Sequence, residues 1–208
     1  MPGSWNTIVT AATWVCWGLV GLVWAVGATL GRQRGPATRE RAGHDLASLV
    51  GVVAALVALA TPEALWHPAT AGSPWVRAPG LVVLGAATVA TVWARVALGV
   101  MWSSAVVTKE HHTLRTSGPY RVTRHPIYTG ILGVLAGTAL LQGLGRWAAL
   151  FVAVALALQV KIRAEERLLT KEFPGEYERY RRQVPQLIPA LHRRRGRRPG
   201  AGAREQRA

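Results

Sequence analysis

The amino-acid sequence predicts an all-α integral membrane protein with five transmembrane helices, of which the fourth and fifth form a short helical hairpin, followed by cytoplasmic C-terminal helices. Half of the 208 residues are hydrophobic and only 17% are charged. The apolar residues form long runs, and short arginine-rich runs separate them. The net charge of +15 is thus concentrated in loops, as in membrane proteins, whereas a nucleic-acid-binding protein spreads its charge over a polar domain. We therefore expect no nucleic-acid partner.

The first three predicted spans are apolar runs long enough to cross a bilayer core of about 30 Å. They cover residues 5–30, 46–66 and 80–104. The first is expected to be a retained helix, because no Lys or Arg precedes it and its apolar run is longer than that of a signal peptide. The third contains one charge, Arg95, which costs about 2.5–3.5 kcal/mol or more at a helix centre. Arg95 should therefore face a cavity or a partner, or extend toward the interface.

The fourth and fifth predicted spans, residues 127–141 and 147–160, have about 15 apolar residues each, fewer than the roughly 20 of a straight span. We expect a tight hairpin that thins the bilayer or crosses only part of it. The helix then continues into water from Lys161, and the sequence Phe173-Pro174-Gly175 ends it. Residues 176–182 should form a second short amphipathic helix.

The loops alternate in charge, and this alternation predicts the orientation. Residues 31–44, residues 105–126 and the C-terminus are basic, whereas the loops 67–79 and 142–146 hold one arginine each. The positive-inside rule then puts the N-terminus outside and the C-terminus in the cytoplasm. The tail, residues 190–208, is basic and of low complexity. We expect it to be disordered and to bind anionic lipids of the cytoplasmic leaflet, at about 1 kcal/mol per nearby basic residue.

A polar block, residues 112–130 (HTLRTSGPYRVTRHPIYTG), lies between two apolar segments and has the residue types of a site. Pro126 suits the first turn of a helix, where its missing N–H has no partner to lose, so His125 should cap the fourth span. The N–H groups at that helix start suit a carboxylate or a phosphate. Further charge and aromatic faces come from Arg121, Arg124, Tyr120 and Tyr128. A basic, aromatic belt at the interface explains the same composition, but the density of Gly, Pro, His and Tyr favours a shaped site.

Glu165 and Glu166 form an acidic pair in the helix beyond the hairpin. Lys161 and Glu165 share one helix face at the i, i+4 spacing, which by itself predicts a surface ion pair worth about 0.3–0.5 kcal/mol. The functional alternative is that one glutamate holds an ammonium group or ribose hydroxyls.

These motifs resemble those of the isoprenylcysteine carboxyl methyltransferase family and, more broadly, of the phospholipid methyltransferase-like membrane enzymes. The matching residues are Arg95, Ala97-Leu98-Gly99, His112-Thr113-Leu114, Gly118-Pro119-Tyr120, Arg124-His125-Pro126, Tyr128, Gly130, Glu165-Glu166, Phe173, Gly175-Glu176-Tyr177, Tyr180 and Pro189. RHPxY combined with a downstream EE and GEYxxY is a specific combination. The resemblance covers residues 80–189, which we take as the methyltransferase core. Residues 1–79 hold the first two helices and loops without a family signature, and residues 190–208 form the tail.

The resemblance implies S-adenosylmethionine as the methyl donor, bound on the cytoplasmic side. It implies cofactor-binding roles for His112, Thr113, Leu114, Arg115, Tyr120, His125, Pro126, Ile127, Tyr128 and Glu165. It also implies that the basic residue four positions before the first glutamate handles a substrate carboxylate. This chain has Lys161 there, where arginine is usual in the family, and lysine lacks the bidentate fork of arginine. The candidate catalytic residues are Lys161, Arg163, Arg95 and Glu166.

The implied activity is methyl transfer to a lipophilic acceptor that enters from the bilayer, with a carboxylate as the expected accepting group. A carboxylate is ionised at pH 7 and needs no general base. An amine or a thiol must lose a proton first, and His112 or Glu166 would be the candidate base. Lipid N-methylation and thiol S-methylation by the same fold are therefore alternatives.

Two readings come from other classes of protein: a non-catalytic membrane scaffold and a membrane reductase with a related C-terminal half. No metal site is expected, because no metal-ligand spacing of Cys and His occurs and the single cysteine, Cys16, lies in an apolar run. The sequence leaves the oligomeric state open.

Overall fold

The computed structural model of the chain describes residues 2–34, 38–41, 46–66, 74–99, 107–109 and 114–189. The α-helices within these ranges are α1 Pro2–Arg34, α2 Leu46–Ala60, α3 Pro74–Leu98, α4 Pro126–Gln142, α5 Gly145–Glu172 and α6 Glu176–Gln183. His112, Thr113 and the predicted disordered tail, residues 190–208, lie outside the described residues.

In the part of the chain that the structure describes, the fold is all-α apart from one short ribbon that the sequence analysis did not predict. Strand β1, Thr38–Arg41, pairs antiparallel with strand β2, Val107–Lys109. The two strands come from the loop after α1 and the loop after α3. Both segments are outside helices, so their backbone N–H and C=O groups need other partners, and pairing with each other provides them.

Within the described residues, three helices are long and apolar enough to cross a membrane: Trp5–Leu30 in α1, Arg77–Leu98 in α3 and Gly145–Glu172, which is α5. These correspond to the first, third and fifth predicted spans, and together with the family described below they make the chain an integral membrane protein. Helices α2 and α4 are shorter, with 15 and 17 residues. The count of five spans and the orientation of the termini therefore stay predictions.

The predicted hairpin is present, and a left-handed turn makes it. Helix α4 begins at Pro126 with His125 as its cap, as the sequence predicted, and α5 begins three residues after α4 ends. Gly143 has φ +89°, a backbone conformation that glycine adopts without a Cβ clash. The predicted fifth span and the helix beyond it form one continuous helix of 28 residues.

Helices α3 and α4 approach each other closely because small residues line their contact. A Cβ built on Gly133 would lie 2.6 Å from the Cβ of Ala87, and one built on Gly137 would lie 2.6 Å from the backbone nitrogen of Leu84. Small residues permit this approach in membranes, where association depends on packing and not on a hydrophobic driving force. The contact fixes the start of α4 beside the last turns of α3.

Helix α1 packs on the outside of this pair. Its Val9 and Val20 are buried in one cluster with Leu84, Val134 and Leu141. The indole N–H of Trp17 donates to the hydroxyl oxygen of Thr138 in α4, at 3.2 Å. The N-terminal helix is thus attached to the core by apolar contacts and by a hydrogen bond.

Candidate active site

The candidate site lies where the start of α4, a 3₁₀ turn, the last third of α5 and the chain after α6 meet. The 3₁₀ turn covers Gly118–Arg121 and begins at Gly118 with φ +62°, followed by Pro119, whose fixed φ suits the first turn. The side chains that the turn and the helix start bring together are polar and mostly buried.

His125 lies between the two adjacent glutamates of α5. Its Nδ1 is 3.5 Å from Oε2 of Glu165, and its Nε2 is 3.3 Å from Oε1 of Glu166. The ring is 6% exposed. Burial by itself lowers the pKa of His125, but hydrogen bonds and charge from both carboxylates outweigh burial and raise it above its ordinary value. A protonated ring satisfies both contacts, because a neutral imidazole donates from one nitrogen only.

Tyr128 completes the contacts around Glu165. Its hydroxyl donates to Oε1 of Glu165. Tyr128 stands one helical turn after His125, and the two rings stack with centroids 5.7 Å apart and planes 10° apart. The structure therefore brings together three residues that the sequence predicted for the cofactor, namely His125, Tyr128 and Glu165.

Glu166 pairs with Arg124, a residue absent from the predicted candidate set. The Nε and Nη2 atoms of Arg124 lie 2.9 Å and 2.8 Å from Oε1 of Glu166. Its Nη1 donates to the carbonyl oxygens of Val184, at 2.6 Å, and Arg181, at 3.1 Å. The sequence placed Arg124 in the RHP motif as added charge, but nothing in it indicated a partner 42 positions later.

Tyr120 is buried beneath the site and joins the 3₁₀ turn to α3 and α6. Its hydroxyl donates to the carbonyl oxygen of Ala94 at 3.5 Å, and its own carbonyl oxygen accepts from the hydroxyl of Tyr180 at 2.5 Å. Burial raises the pKa of Tyr180 to about 12, so this hydroxyl keeps its proton and remains a donor at neutral pH. Burial likewise raises the pKa of Tyr120 above its usual range.

Arg95 is buried within the helix bundle and does not extend into solvent. Its side chain is 3% exposed, and Nη1 donates to the carbonyl oxygen of Gly99 at 3.0 Å. Its guanidinium lies against Gly27 of α1, where a Cβ would overlap it. The sequence analysis expected Arg95 either to face a cavity or a partner or to extend toward the interface. The structure shows an internal environment.

The other predicted residues differ in exposure. Lys161 is buried one turn before Glu165, whereas Arg163 is exposed, since two helical positions rotate it roughly 200° away from Lys161. Pro126 and Ile127 are buried in the first turn of α4. The remaining described candidates are Leu114, which is half-buried, and Arg115, which is exposed.

The chain has long apolar helices, and a buried cluster of paired charged side chains lies where several of these helices begin or end. These features define an integral membrane protein that carries a buried polar site. The profile of the isoprenylcysteine carboxyl methyltransferase (ICMT) family matches residues 79–171, a range that includes every paired side chain from Arg95 to Glu166. The resemblance that the motifs predicted is thus confirmed for residues 79–171, which match this methyltransferase family.

Individual relatives carry different names. Cobalt-zinc-cadmium resistance protein CzcN of Cupriavidus metallidurans is 34% identical over 151 residues, 71% of this chain and 66% of that protein. Protein-S-isoprenylcysteine O-methyltransferase of Schizosaccharomyces pombe is 36% identical over 101 residues, 47% of this chain and 43% of that protein. Methanethiol S-methyltransferase 2 of Bradyrhizobium diazoefficiens is 38% identical over 84 residues, 40% of this chain and 31% of that protein. The chain thus spans less than two thirds of the length of each.

Proposed function

We propose that the protein transfers a methyl group from S-adenosylmethionine to a lipophilic acceptor that enters from the bilayer, with a carboxylate as the accepting group. The observation that carries the proposal is the convergence of His125, Tyr128 and Glu165 at the start of α4, inside the residues that match the family. The proposal includes the predicted orientation, with the site and the C-terminus in the cytoplasm and the basic tail on anionic lipids.

The side chains and backbone amides of the site fit S-adenosylmethionine. This molecule has an ammonium and a carboxylate, and it supplies an electrophilic methyl group on a sulfonium when bound. The carboxylate of Glu165 suits the ammonium, and 21% of its side chain is exposed. The first intrahelical bond of α4 runs from the N–H of Thr129 to the oxygen of His125. The amides of Ile127 and Tyr128 precede that bond, so they suit the cofactor's carboxylate. The family resemblance adds His112, Thr113, Leu114, Arg115, Tyr120 and Pro126 to the cofactor set.

Two buried cations suit an acceptor carboxylate. Lys161 lies one turn before Glu165 on α5, and Arg95 lies near the end of α3. Methyl transfer to a carboxylate removes a positive and a negative charge together, which a site that excludes water favours. Lys161 and Arg95 hold and orient the acceptor in line with the donor, and Arg163, being exposed, has at most a secondary role.

Two measurements test the proposal directly. Calorimetry of the purified protein with S-adenosylmethionine measures binding, and incubation of membranes with a labelled methyl donor, followed by separation of lipid from protein, measures transfer. We expect the wild type to bind and His125→Ala and Glu165→Ala each to weaken binding at least about tenfold. No binding by the wild type, or undiminished binding by both variants, contradicts the proposal. Binding without a methylated product supports a scaffold, and binding of NADPH alone supports a reductase.

Thiol S-methylation is the second candidate, and the similarity to a methanethiol S-methyltransferase favours it. A thiol must lose its proton before it attacks, and its ordinary pKa is about 8.5 in cysteine and higher in a simple alkanethiol, whereas a carboxylate is ionised above about pH 5. The rate at saturating substrates should therefore rise with pH to at least about 8.5 for a thiol and stay flat for a carboxylate. His112 and Glu166 are the candidate bases for the thiol reaction.

A further inference from the structure

Four consecutive carbonyl groups after α6 accept hydrogen bonds from the start of α4 and the residues before it. We call this segment, residues 184–187, the C-terminal brace. Val184 accepts from Nη1 of Arg124 at 2.6 Å, and Pro185 accepts from the backbone N–H of Arg124 at 2.8 Å. Gln186 accepts from the backbone N–H of His125 at 3.1 Å. Leu187 accepts from the hydroxyl of Thr129 at 2.7 Å.

The brace lies beyond residues 79–171, the range that matches the family profile. Its contacts nevertheless fall on His125 and on the residue before it, at the centre of the candidate site. Four bonds in sequence fix both the position and the direction of the brace, because each carbonyl has one defined donor. The brace is therefore part of the structure that holds the site.

Arg124 connects the brace to α5. Its Nε and Nη2 both contact Oε1 of Glu166, while Nη1 contacts the carbonyl oxygens of Arg181 and Val184. The same glutamate oxygen lies 3.3 Å from Nε2 of His125. Charge-assisted bonds of this kind are roughly twice as strong as neutral ones, and the fork of arginine fixes their geometry.

The two adjacent glutamates therefore have different surroundings. Glu166 is 13% exposed, and one of its oxygens is surrounded by three N–H groups. Glu165 is 21% exposed and contacts the hydroxyl of Tyr128 and the other nitrogen of His125. Glu166 holds the ring of His125 from one side, and that ring meets Glu165 from the other.

We propose that Arg124, Glu166 and the brace are positioning elements: Arg124 fixes Glu166 against the brace, Glu166 orients His125, and His125 sets the carboxylate of Glu165 for the ammonium of the cofactor. The inference rests on the proposed function, and it assigns Glu166 a positioning role in place of a direct chemical one. It also gives a segment outside the family match a part in cofactor binding.

The test uses conservative variants of the whole 208-residue chain and calorimetry with S-adenosylmethionine. Arg124→Lys keeps the charge but loses the fork, Glu166→Gln keeps the shape but loses the charge, and Thr129→Val removes one bond to the brace. We expect the dissociation constant to rise about tenfold for the first two and less than about threefold for the third. Exposed neighbours serve as controls that should not change it, with Arg167→Gln for the arginine and Glu178→Gln for the glutamate.

A pH series separates positioning from general loss of structure. The charged and titratable groups around the ring of His125 are Glu165 and Glu166 from α5, Tyr128 from α4 and the neighbouring Arg124, and the brace adds the backbone of Gln186. Removing one carboxylate makes the imidazolium less favourable. The pH at which binding weakens should therefore be lower in Glu166→Gln than in the wild type, whereas a merely loosened fold weakens binding equally at all pH values.

The outcomes distinguish this inference from the proposed function. If the wild type does not bind S-adenosylmethionine, both are overturned. If the wild type binds and Arg124→Lys and Glu166→Gln bind equally well, the proposed function stands and the positioning role is wrong. Weaker binding by both variants, with an acid-shifted profile for Glu166→Gln and unchanged controls, supports the inference.

Discussion

Different interactions hold the two ends of α4: small residues pack its later half against α3, and hydrogen bonds to charged groups hold its start. Along its body, Gly133 and Gly137 bring α4 against α3 with few polar contacts, so that shape alone determines the fit. At its start, Arg124, His125 and Tyr128 are held by carboxylates and carbonyl oxygens. Packing of small residues tolerates no added volume but is indifferent to pH, whereas the charged end depends on protonation and on the geometry of its hydrogen bonds. One helix thus joins a rigid, closely packed contact with α3 to a titratable site.

The largest expected effect is at the packed end. Gly137→Val puts side-chain atoms against the backbone of Leu84, which cannot move aside as a flexible side chain can. We expect the free energy of unfolding to fall by about 3 kcal/mol, the upper range for overpacking. Gly85→Val is the matched control, because a Cβ at Gly85 meets no atom within 4 Å. Equal thermal stability of the two variants in detergent would falsify the close-packing account.

At the charged end, Glu165→Gln should reduce the affinity for S-adenosylmethionine about 100-fold, which corresponds to about 2.7 kcal/mol, because a neutral amide replaces the carboxylate proposed to pair with the ammonium. Thermal stability should change little, since the amide keeps the shape of the side chain. Calorimetry and a thermal melt on the same sample check both parts. A large loss of stability with unchanged affinity would show that Glu165 is structural.

The pH dependence of stability sharpens the contrast between the ends. The raised pKa of His125 means that its protonation stabilises the folded state fully below the unfolded value of about 6.5. This contribution is lost as the pH rises through the folded-state pKa. We expect wild-type stability to fall as the pH rises above about 6.5, in thermal melts from pH 6 to pH 9. The fall should be smaller in His125→Gln, and an identical slope in both proteins rules out His125 as its source.

The smallest effect is expected where α1 joins α4. Trp17→Phe removes the hydrogen bond to Thr138 but keeps an aromatic ring. Hydrogen bonds between membrane helices contribute about 0.6 kcal/mol on average, so the melting temperature should fall only slightly. A double-mutant cycle with Thr138→Val isolates the bond, and a coupling energy near zero argues that packing alone attaches α1.

Local patterns in the sequence predicted most of the helices. The sequence did not predict which distant positions contact each other. Pro126 marked the start of α4, and Phe173-Pro174-Gly175 marked the end of α5, because both features depend on neighbouring backbone only. The family motifs brought His125, Tyr128 and Glu165 to one site. The pairing of Arg124 with Glu166 depends instead on how α5 sits against the start of α4.

The ribbon of β1 and β2 and the C-terminal brace were missed for a related reason. The ribbon consists of backbone hydrogen bonds, and two of the four bonds to the brace are of the same kind. In both cases the segments carry no periodic pattern and lie far apart in the chain. Side-chain types do not specify such bonds, since any residue except proline can donate from its backbone nitrogen. Nothing in the sequence of residues 184–189 indicated what they would contact.

Because α5 is one continuous helix, it fixes the distance between an exposed apolar residue and a carboxylate of the candidate site. Val160 is an exposed apolar residue on this helix, and Glu165 is five residues further along. At a rise of about 1.5 Å per residue, the two are separated by roughly 7.5 Å along the axis. Under the proposed function, a long-chain acceptor therefore keeps its tail in the hydrocarbon while its polar head reaches Lys161, without being lifted out of the bilayer. Because no turn interrupts the helix, the distance between Val160 and Glu165 is the same for every proposed acceptor.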